Sequence, residues 1–489
     1  MHFKWLNAWS IGPLILVLFF IAPVIIVISS LFGDYSDNWV HLYDYVLFKY
    51  IKNSLFLVIG VSISVLLIGI TTAWLVTNYN FSCKNIFEWA LILPFAVPPY
   101  ILAYTFTGMF DSYGTANNII RDIFSLNNDF IFFPKLRNIY GAIAVFSFTL
   151  YPYVYLVSRM AFINQSKSIL ETGRTLGYNQ YQVFYKLSIP MIRPAVVAGL
   201  MIVIMETLSD FGAVDHFAIS TFTTGIFRTW YGLYDIKTAM QLSSLLLLFV
   251  MIFIFIKKYS RRKAAFSLAT SVYKPIKKIE LFGFKNIVAF LICFFPIFIG
   301  FLLPVIQLVY WALNYKLDFF NAKFIITAWN TLYLALIAAL LCTLFALVTN
   351  FAIRLNKNKV VQFLSSFLTV GYAVPGLILA IGVMQLLTFL DRIFFIDTLN
   401  MVLTGGLFGL ILAYVIKSYA LSSSTFEAGF QRINSRVDDV AKSLNSNGWS
   451  LLAKIHIPLL RTSILTSLLL VVSEVIKELP ATLILRPFN

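Results

Sequence analysis

The chain has 489 residues, of which 60% are hydrophobic, 17% aromatic and only 12% charged, and its mean hydropathy is +0.85. A soluble enzyme would carry roughly 25% charged residues, so this composition excludes one and specifies a polytopic membrane protein. The net charge of +16, from 37 Lys+Arg against 21 Asp+Glu, reads in so apolar a chain as basic cytoplasmic loops under the positive-inside rule, and not as a nucleic-acid surface. Cys83, Cys293 and Cys342 lie within or beside apolar runs without C-x-x-C spacing, so they indicate packing and neither a disulfide framework nor a thiolate metal site.

The first apolar run, Ile11 to about Leu31, follows Lys4 and has no small-residue cleavage signature after it. It is long enough to cross a bilayer and reads as a retained signal anchor. Further runs begin near Ile51, Asn85, Tyr140, Met191 and Ala239, and a second series begins near Lys285, Phe324, Val361, Met401 and Ile464, eleven in all. Cations gather at Lys84, between Arg159 and Arg193, at Lys257, Lys258, Arg261, Arg262 and Lys263, at Arg354, Lys357 and Lys359, and between Arg432 and Arg461. The alternate loops hold Asp34, Asp37, Asp44, Asp111, Asp122, Asp129, Asp215, Asp235, Asp391 and Asp397 with fewer cations. This asymmetry predicts a cytoplasmic N-terminus.

The two series are one unit written twice. Glu171, Leu187, Ile189, Pro190, Arg193, Glu206 and Asp210 reappear 268 positions later as Asp439, Ile455, Ile457, Pro458, Arg461, Glu474 and Glu478, a register that marks an internal repeat. Pro23-Val24-Ile25 matches Pro304-Val305-Ile306 at a shift of 281. Asn53-Ser54-Leu55 matches Asn330-Thr331-Leu332, and Ala96-Val97-Pro98 matches Ala373-Val374-Pro375, both at 277. Each decrease is a shorter outside loop, where deletions are best tolerated. Equal predicted orientation makes the repeat parallel, about an axis along the membrane normal. The division is therefore 1–256 (six spans), a basic linker 257–284, and 285–489 (five spans). Carrying Ala239 to Lys257 forward by 268 runs past Asn489, so the expectation is a missing twelfth span, an outside C-terminus, and a truncated frame or partial product.

The two long inside loops are the most specific feature. One reads ETGRTLGYNQYQVFYKLSIP from Glu171 and the other DVAKSLNSNGWSLLAKIHIP from Asp439. Each begins with an acidic residue near the start of a short predicted helix, turns at Gly177-Tyr178-Asn179 or Asn445-Ser446-Asn447-Gly448, and ends in Pro just before a span. Gly and Asn supply the positive-φ turn, and Pro suits the first turn of the next helix. The result is a projecting elbow on the cytoplasmic side; an ordinary amphipathic loop would not recur in register.

These loops resemble the coupling motif of ABC importer permeases, carried here by Glu171, Thr172, Gly173, Gly177, Leu187, Ile189 and Pro190, and by Asp439, Val440, Ala441, Asn445, Ile455, Ile457 and Pro458. Asn445 stands where the family pattern has Gly, and Asp439 where it has Glu. The stretch METLSDFGAVDHFAISTFTTGIFRTW from Met205 and the C-terminal KELPATLILRPFN are similar to segments of fused, two-copy permeases for ferric iron. The resemblance covers nearly the whole chain. It implies an all-α polytopic bundle of the type I ABC importer permease fold in a bacterial inner membrane, forming the channel of an iron(III) importer. It also implies two ATPase subunits inside, which use the ATP, and an iron-binding protein outside. Thiamine, a polyamine or a phosphonate would suit the same fold.

Glu206 and Asp210 are spaced i, i+4, as are Glu474 and Glu478, and so predict one carboxylate face on each fifth span. If the helix enters at about residue 192, Glu206 sits about 21 Å across at 1.5 Å per residue, in the outer half of the hydrocarbon. Two readings fit such costly groups: lining of the translocation pathway, where hard oxygen ligands favour a ferric cation, or a structural ion pair, for example of Glu478 with Lys477 or Arg486. Pro94, Pro98 and Pro99, and Pro375-Gly376, break the helix ladder, as a hinge or pore constriction or as ordinary kinks. Tyr100, Tyr104 and Tyr372 read as packing aromatics. His2, His41, His216 and His456 show no ligand spacing, and His456 is expected on the surface of the second elbow. No G-x-x-x-x-G-K-[ST] loop occurs, so energy must come from a partner or an ion gradient. A gradient-driven transporter would need protonatable groups deep in the spans. An integral membrane enzyme lacks any assignable nucleophile and base.

Overall fold

A computed structural model describes residues 8–127, 130–163, 175, 177–179, 182–262, 278–314, 321–355, 359–394, 403–444 and 447–487. Peptide groups in hydrocarbon have no water to bond, so apolar runs of this length close their hydrogen bonds within helices. The principal helices are α1 (Ala8–Ser29), α2 (Leu47–Asn78), α3 (Lys84–Ala90), α4 (Pro99–Phe110), α5 (Ile139–Ile163), α6 (Ile189–Ser209), α7 (Gly212–His216) and α8 (Ile236–Arg262). The second repeat supplies α9 (Phe284–Ile297), α10 (Ala322–Leu355), α11 (Gly376–Phe394), α12 (Leu407–Arg432), α13 (Arg436–Ser443), α14 (Arg461–Lys477) and α15 (Pro480–Leu485). Among the described residues eight helices are long and apolar enough to cross a membrane, or ten if each of two bent pairs is one span. The eleven expected runs all fall on helix; the run near Ala239 makes only a shorter apolar stretch, Ile236–Ile252, and the one near Val361 is split.

Proline sets the break in the third span of each repeat. Lys84–Ala96 and Pro99–Phe124 meet at 88°, with Val97 at φ −94°, ψ 113° and Pro98 at φ −60°, ψ 144°. Residues before proline are pushed into this extended region. The repeat-related Val374, before Pro375, adopts φ −85°, ψ 125°. The same local sequence therefore writes the same break twice.

The compact units are not the two halves of the sequence. One comprises residues 1–36, 226–247 and 318–489, the other 37–225 and 248–317. In the second, α2, α5 and α6 pack together around Val61, Val65, Val145, Phe146, Tyr151 and Val154, and the same core takes in Ala289, Cys293 and Ile297 of α9. In the first, α10 packs on α12 and α14, and α1 lies against α11. Ala335, Ala338, Ala339, Cys342 and Ala346 form a fully buried row along α10; small residues at this spacing let backbones approach where lipid gives no hydrophobic drive. A hydroxyl relay crosses the same contact, Thr343 to Ser467 at 2.9 Å and Ser467 to Ser422 at 2.7 Å. Each unit thus joins the core of one repeat to the first span of the other.

The first-span contact is close enough to test. A Cβ built on Gly382 of α11 would lie 2.5 Å from the Pro23 carbonyl oxygen of α1, whereas one on Gly12 meets nothing within 4 Å. Gly382→Leu should prise α1 away at a cost of about 1–3 kcal/mol and lower the thermal midpoint of the purified protein. Gly12→Leu should leave that midpoint unchanged.

Candidate functional site: elbows and broken fifth spans

In the first elbow Glu171, Thr172 and Gly173 lie outside the described residues, as does Asn445 in the second. Gly177 sits at φ +75°, the left-handed turn expected of it. After the turn, Asn179 and Gln182 form a reciprocal capping box: the Asn179 N–H donates to Gln182 Oε1 at 3.0 Å and the Gln182 N–H to Asn179 Oδ1 at 2.9 Å. This satisfies two donors that a helix start would leave orphaned. Leu187 and Ile189 are half-buried and Pro190 is exposed.

In the second elbow α13 exposes Asp439 and Val440 and buries Ala441. The turn falls on Gly448, at φ +53°. Val440 (59% exposed), Leu444 (75%) and Trp449 (65%) give this elbow an apolar outer surface. Ile455 is half-buried, and Ile457 and Pro458 are exposed. Each elbow enters its span through a widened, π-helical turn, Val183–Ser188 and Leu452–His456, placed alike in the two repeats. A proline ring cannot fit behind the carbonyl four residues earlier in a regular helix, and a π turn before Pro190 and Pro458 opens that space.

The fifth-span carboxylates correct the expected single helical face. Helix α6 ends at Ser209 and α14 at Lys477, and Asp210 (φ −69°, ψ 136°) and Glu478 (φ −77°, ψ 99°) are the residues at which the chain leaves the helix. Their side chains turn forward to cap the next helix. Asp210 Oδ1 accepts the N–H groups of Ala213 at 2.9 Å and Val214 at 3.3 Å, at the start of α7. Glu478 Oε1 accepts the Ala481 N–H at 3.2 Å, at the start of α15. Their carbonyls are held too, Asp210's by the Thr223 hydroxyl at 2.7 Å and Glu478's by the Thr482 hydroxyl. The stretch that resembles ferric permeases is therefore partly a support for this break: Thr224 accepts the Thr221 N–H at 2.8 Å, and Asn53 of α2 donates to the Ser220 carbonyl at 2.9 Å. Glu206 and Glu474, one turn earlier, are half-buried on helix.

The ion-pair partner of Glu478 is Lys417, on α12, and not Lys477 or Arg486. Their side chains are 6% and 12% exposed, so the pair is buried. Lys417 was not singled out from sequence, although a lone lysine inside the apolar run of α12 was the available signal. Among the described residues no three His, Cys, Asp or Glu side chains converge to hold a metal ion. His456 is also corrected: it is fully buried, held between the rings of Phe351 and Phe430 at 5.3 and 5.4 Å.

Lys417→Met would strand a buried carboxylate, at a cost of about 3–5 kcal/mol, and a large fall in thermal midpoint is expected. Lys417→Met with Glu478→Leu should recover most of it, short of about 1 kcal/mol for the lost cap of α15. A double variant no more stable than Lys417→Met would refute the pairing.

The profile of binding-protein-dependent transport system inner membrane components matches residues 65–264 and 343–486, once in each repeat. The chain is similar to the Fe(3+)-transport system permease protein FbpB 2 of Haemophilus influenzae, 24% identical over 89% of this chain and 80% of that protein. It is 25% identical to the ferric transport system permease protein FbpB of Actinobacillus pleuropneumoniae, over 95% of this chain and 69% of that one. The molybdenum transport system permease protein ModB of Escherichia coli is 27% identical, over 30% of this chain and 62% of its own length.

Proposed function

The chain belongs to the family of binding-protein-dependent transport system inner membrane components, and from that premise we propose that it is the transmembrane permease subunit of an ATP-driven ferric iron importer. One observation carries the choice of solute. The relatives named for ferric transport align across both repeats, whereas those named for molybdenum and sulfate align over about a third of the chain.

In this reading the N-terminus and both elbows face the cytoplasm, where an ATPase subunit docks on each. The exposed Asp439, Val440 and Trp449 offer such a partner a charge and an apolar surface. Closure of the ATPase pair moves the elbows, the fifth spans move with them, and the chain alternates between outward and inward access. An iron-binding protein delivers the ion outside. Glu206 and Glu474 remain the pathway carboxylates of this proposal, as oxygen donors suited to a hard cation. Asp210 and Glu478 shape the break beside them.

Cells lacking the gene should lose uptake of radiolabelled ferric iron and keep uptake of thiamine and molybdate; unchanged iron uptake would remove the assignment of solute. Deletion of Glu171 to Pro190 should abolish co-purification of the ATPase while the spans stay folded. Replacing Glu206 and Glu474 together by Gln should lower iron transport at least about tenfold, the scale of one lost charged contact of about 1.4 kcal/mol. Transport at the unaltered rate would exclude them as pathway ligands.

A further inference from the structure

The two elbows differ in a way the repeat makes measurable. In the first, Val183–Ser209 runs as one helix; in the second, Trp449–Leu459 and Arg461–Lys477 are bent by 77°, at Leu460 (φ −95°, ψ 9°). The bent elbow has a cluster of ionisable groups beneath it. Arg354, at the end of α10, places Nε 2.6 Å from Asp438 Oδ2 in the first turn of α13. The same guanidinium donates to the carbonyls of Phe430 (2.8 Å), Ile433 (3.1 Å) and Asn434 (3.3 Å), where α12 ends. His456, on the π turn, sets Nε2 3.0 Å from Asp438 Oδ1, at ion-pair distance but off the hydrogen-bond axis. Trp9 of α1 closes the cluster, its ring 5.1 Å from Phe351 and 4.7 Å from Trp449.

The repeat replaces all three ionisable groups at once. At the shifts of 277 and 268, Arg354, Asp438 and His456 correspond to Thr77, Leu170 and Ser188, while Phe351 and Phe430 correspond to Trp74 and Phe162. The aromatic frame is retained, with Trp74 and Phe162 5.1 Å apart, and the three corresponding positions carry no ionisable side chain. Burial of three ionisable groups is costly, and breaking such a set by removing one member is worse than never having it. Its occurrence in one copy marks it as serving that copy alone.

We propose that the Arg354–Asp438–His456 cluster is a clamp that holds the second elbow in its bent setting, so that the two elbows pass motion to their spans unequally. Arg354, Asp438 and His456 are positioning residues: they act through α13 and the π turn and touch neither the solute nor, in this arrangement, the outer face of the elbow. The inference rests on the importer reading above, and its test separates the two.

The full chain would be co-expressed with its ATPase and placed in lipid nanodiscs. Retention of the ATPase by the unaltered chain tests the importer reading alone. Arg354→Gln and Asp438→Asn singly, and the neutral pair of both, should keep the ATPase and its ATP hydrolysis, yet transport roughly tenfold less iron per ATP, the range of a coupled charge pair. Hydrogen exchange over 449–460 should rise in each, while exchange over 183–192 stays as it was. The neutral pair leaves no uncompensated charge, so it reports on the clamp even where a single variant folds poorly. Exchanging the charges, as Arg354→Asp with Asp438→Arg, should restore at least about half of the lost coupling. A neutral pair with unaltered transport per ATP and unaltered exchange at 449–460 would overturn the clamp, as would a folded exchanged pair with no recovery.

Discussion

The structure depends on one constraint: a backbone group in hydrocarbon has no water to turn to, so every departure from helix must bring its own hydrogen-bond partners. At the ends of α6 and α14 these come from a carboxylate that leaves one helix and caps the next. Asp210 and Glu478 do this at repeat-related positions with different side-chain lengths, reaching Ala213 and Ala481 respectively. Cost explains the further difference between them. The Glu478 carboxylate is buried and is matched by Lys417, since an ionised group at such depth has to be paired. Asp210 Oδ1 accepts two N–H groups at the start of α7, where the N-terminal dipole itself favours an anion.

The second consequence concerns how the repeats are joined. Each compact unit contains the first span of the other repeat, and the second repeat's first span follows the chain between the halves. The exit of that chain is fixed by a two-residue parallel pairing, Tyr79 with Ile279 and Asn80 with Glu280. Two side-chain bonds between Ser82 and Asn286, each 2.9 Å, reinforce it. Glu88 adds an ion pair to Lys278 at 3.6 Å and one to Arg159 at 3.2 Å. The link thereby delivers α9 to a defined place on the core of the first repeat.

Much of this was legible in sequence because it is local. The repeat, the helices, the breaks at Pro94–Pro99 and Pro375, and the turn at Gly177 follow from spacing and from what proline and glycine permit. What escaped is set by partners far away in the chain. Glu478 was assigned neighbours a few residues off, whereas its counter-ion is 61 positions earlier. His456 was expected on the surface because its own segment is amphipathic, and it is buried because Phe351 and Phe430 close over it. The exchange of first spans leaves no trace in composition, since a lipid-facing and a helix-facing apolar residue read alike. The turn of the second elbow uses Gly448, the last residue of the expected Asn445-Ser446-Asn447-Gly448 stretch, which adopts positive φ at no steric cost.

The carboxylates also bear on the source of energy. A gradient-driven carrier needs acids in the spans that take up and release protons as access alternates. Asp210 and Glu478 have a structural task instead: Asp210 Oδ1 and Glu478 Oε1 each hold a helix start, while Glu478 Oε2 pairs with Lys417. A cap of this kind is a fixed joint, and fixed joints at the ends of α6 and α14 make those helices levers. In the proposed importer, levers of this kind would take work from a hydrolysing partner at the elbows, at the opposite ends of α6 and α14.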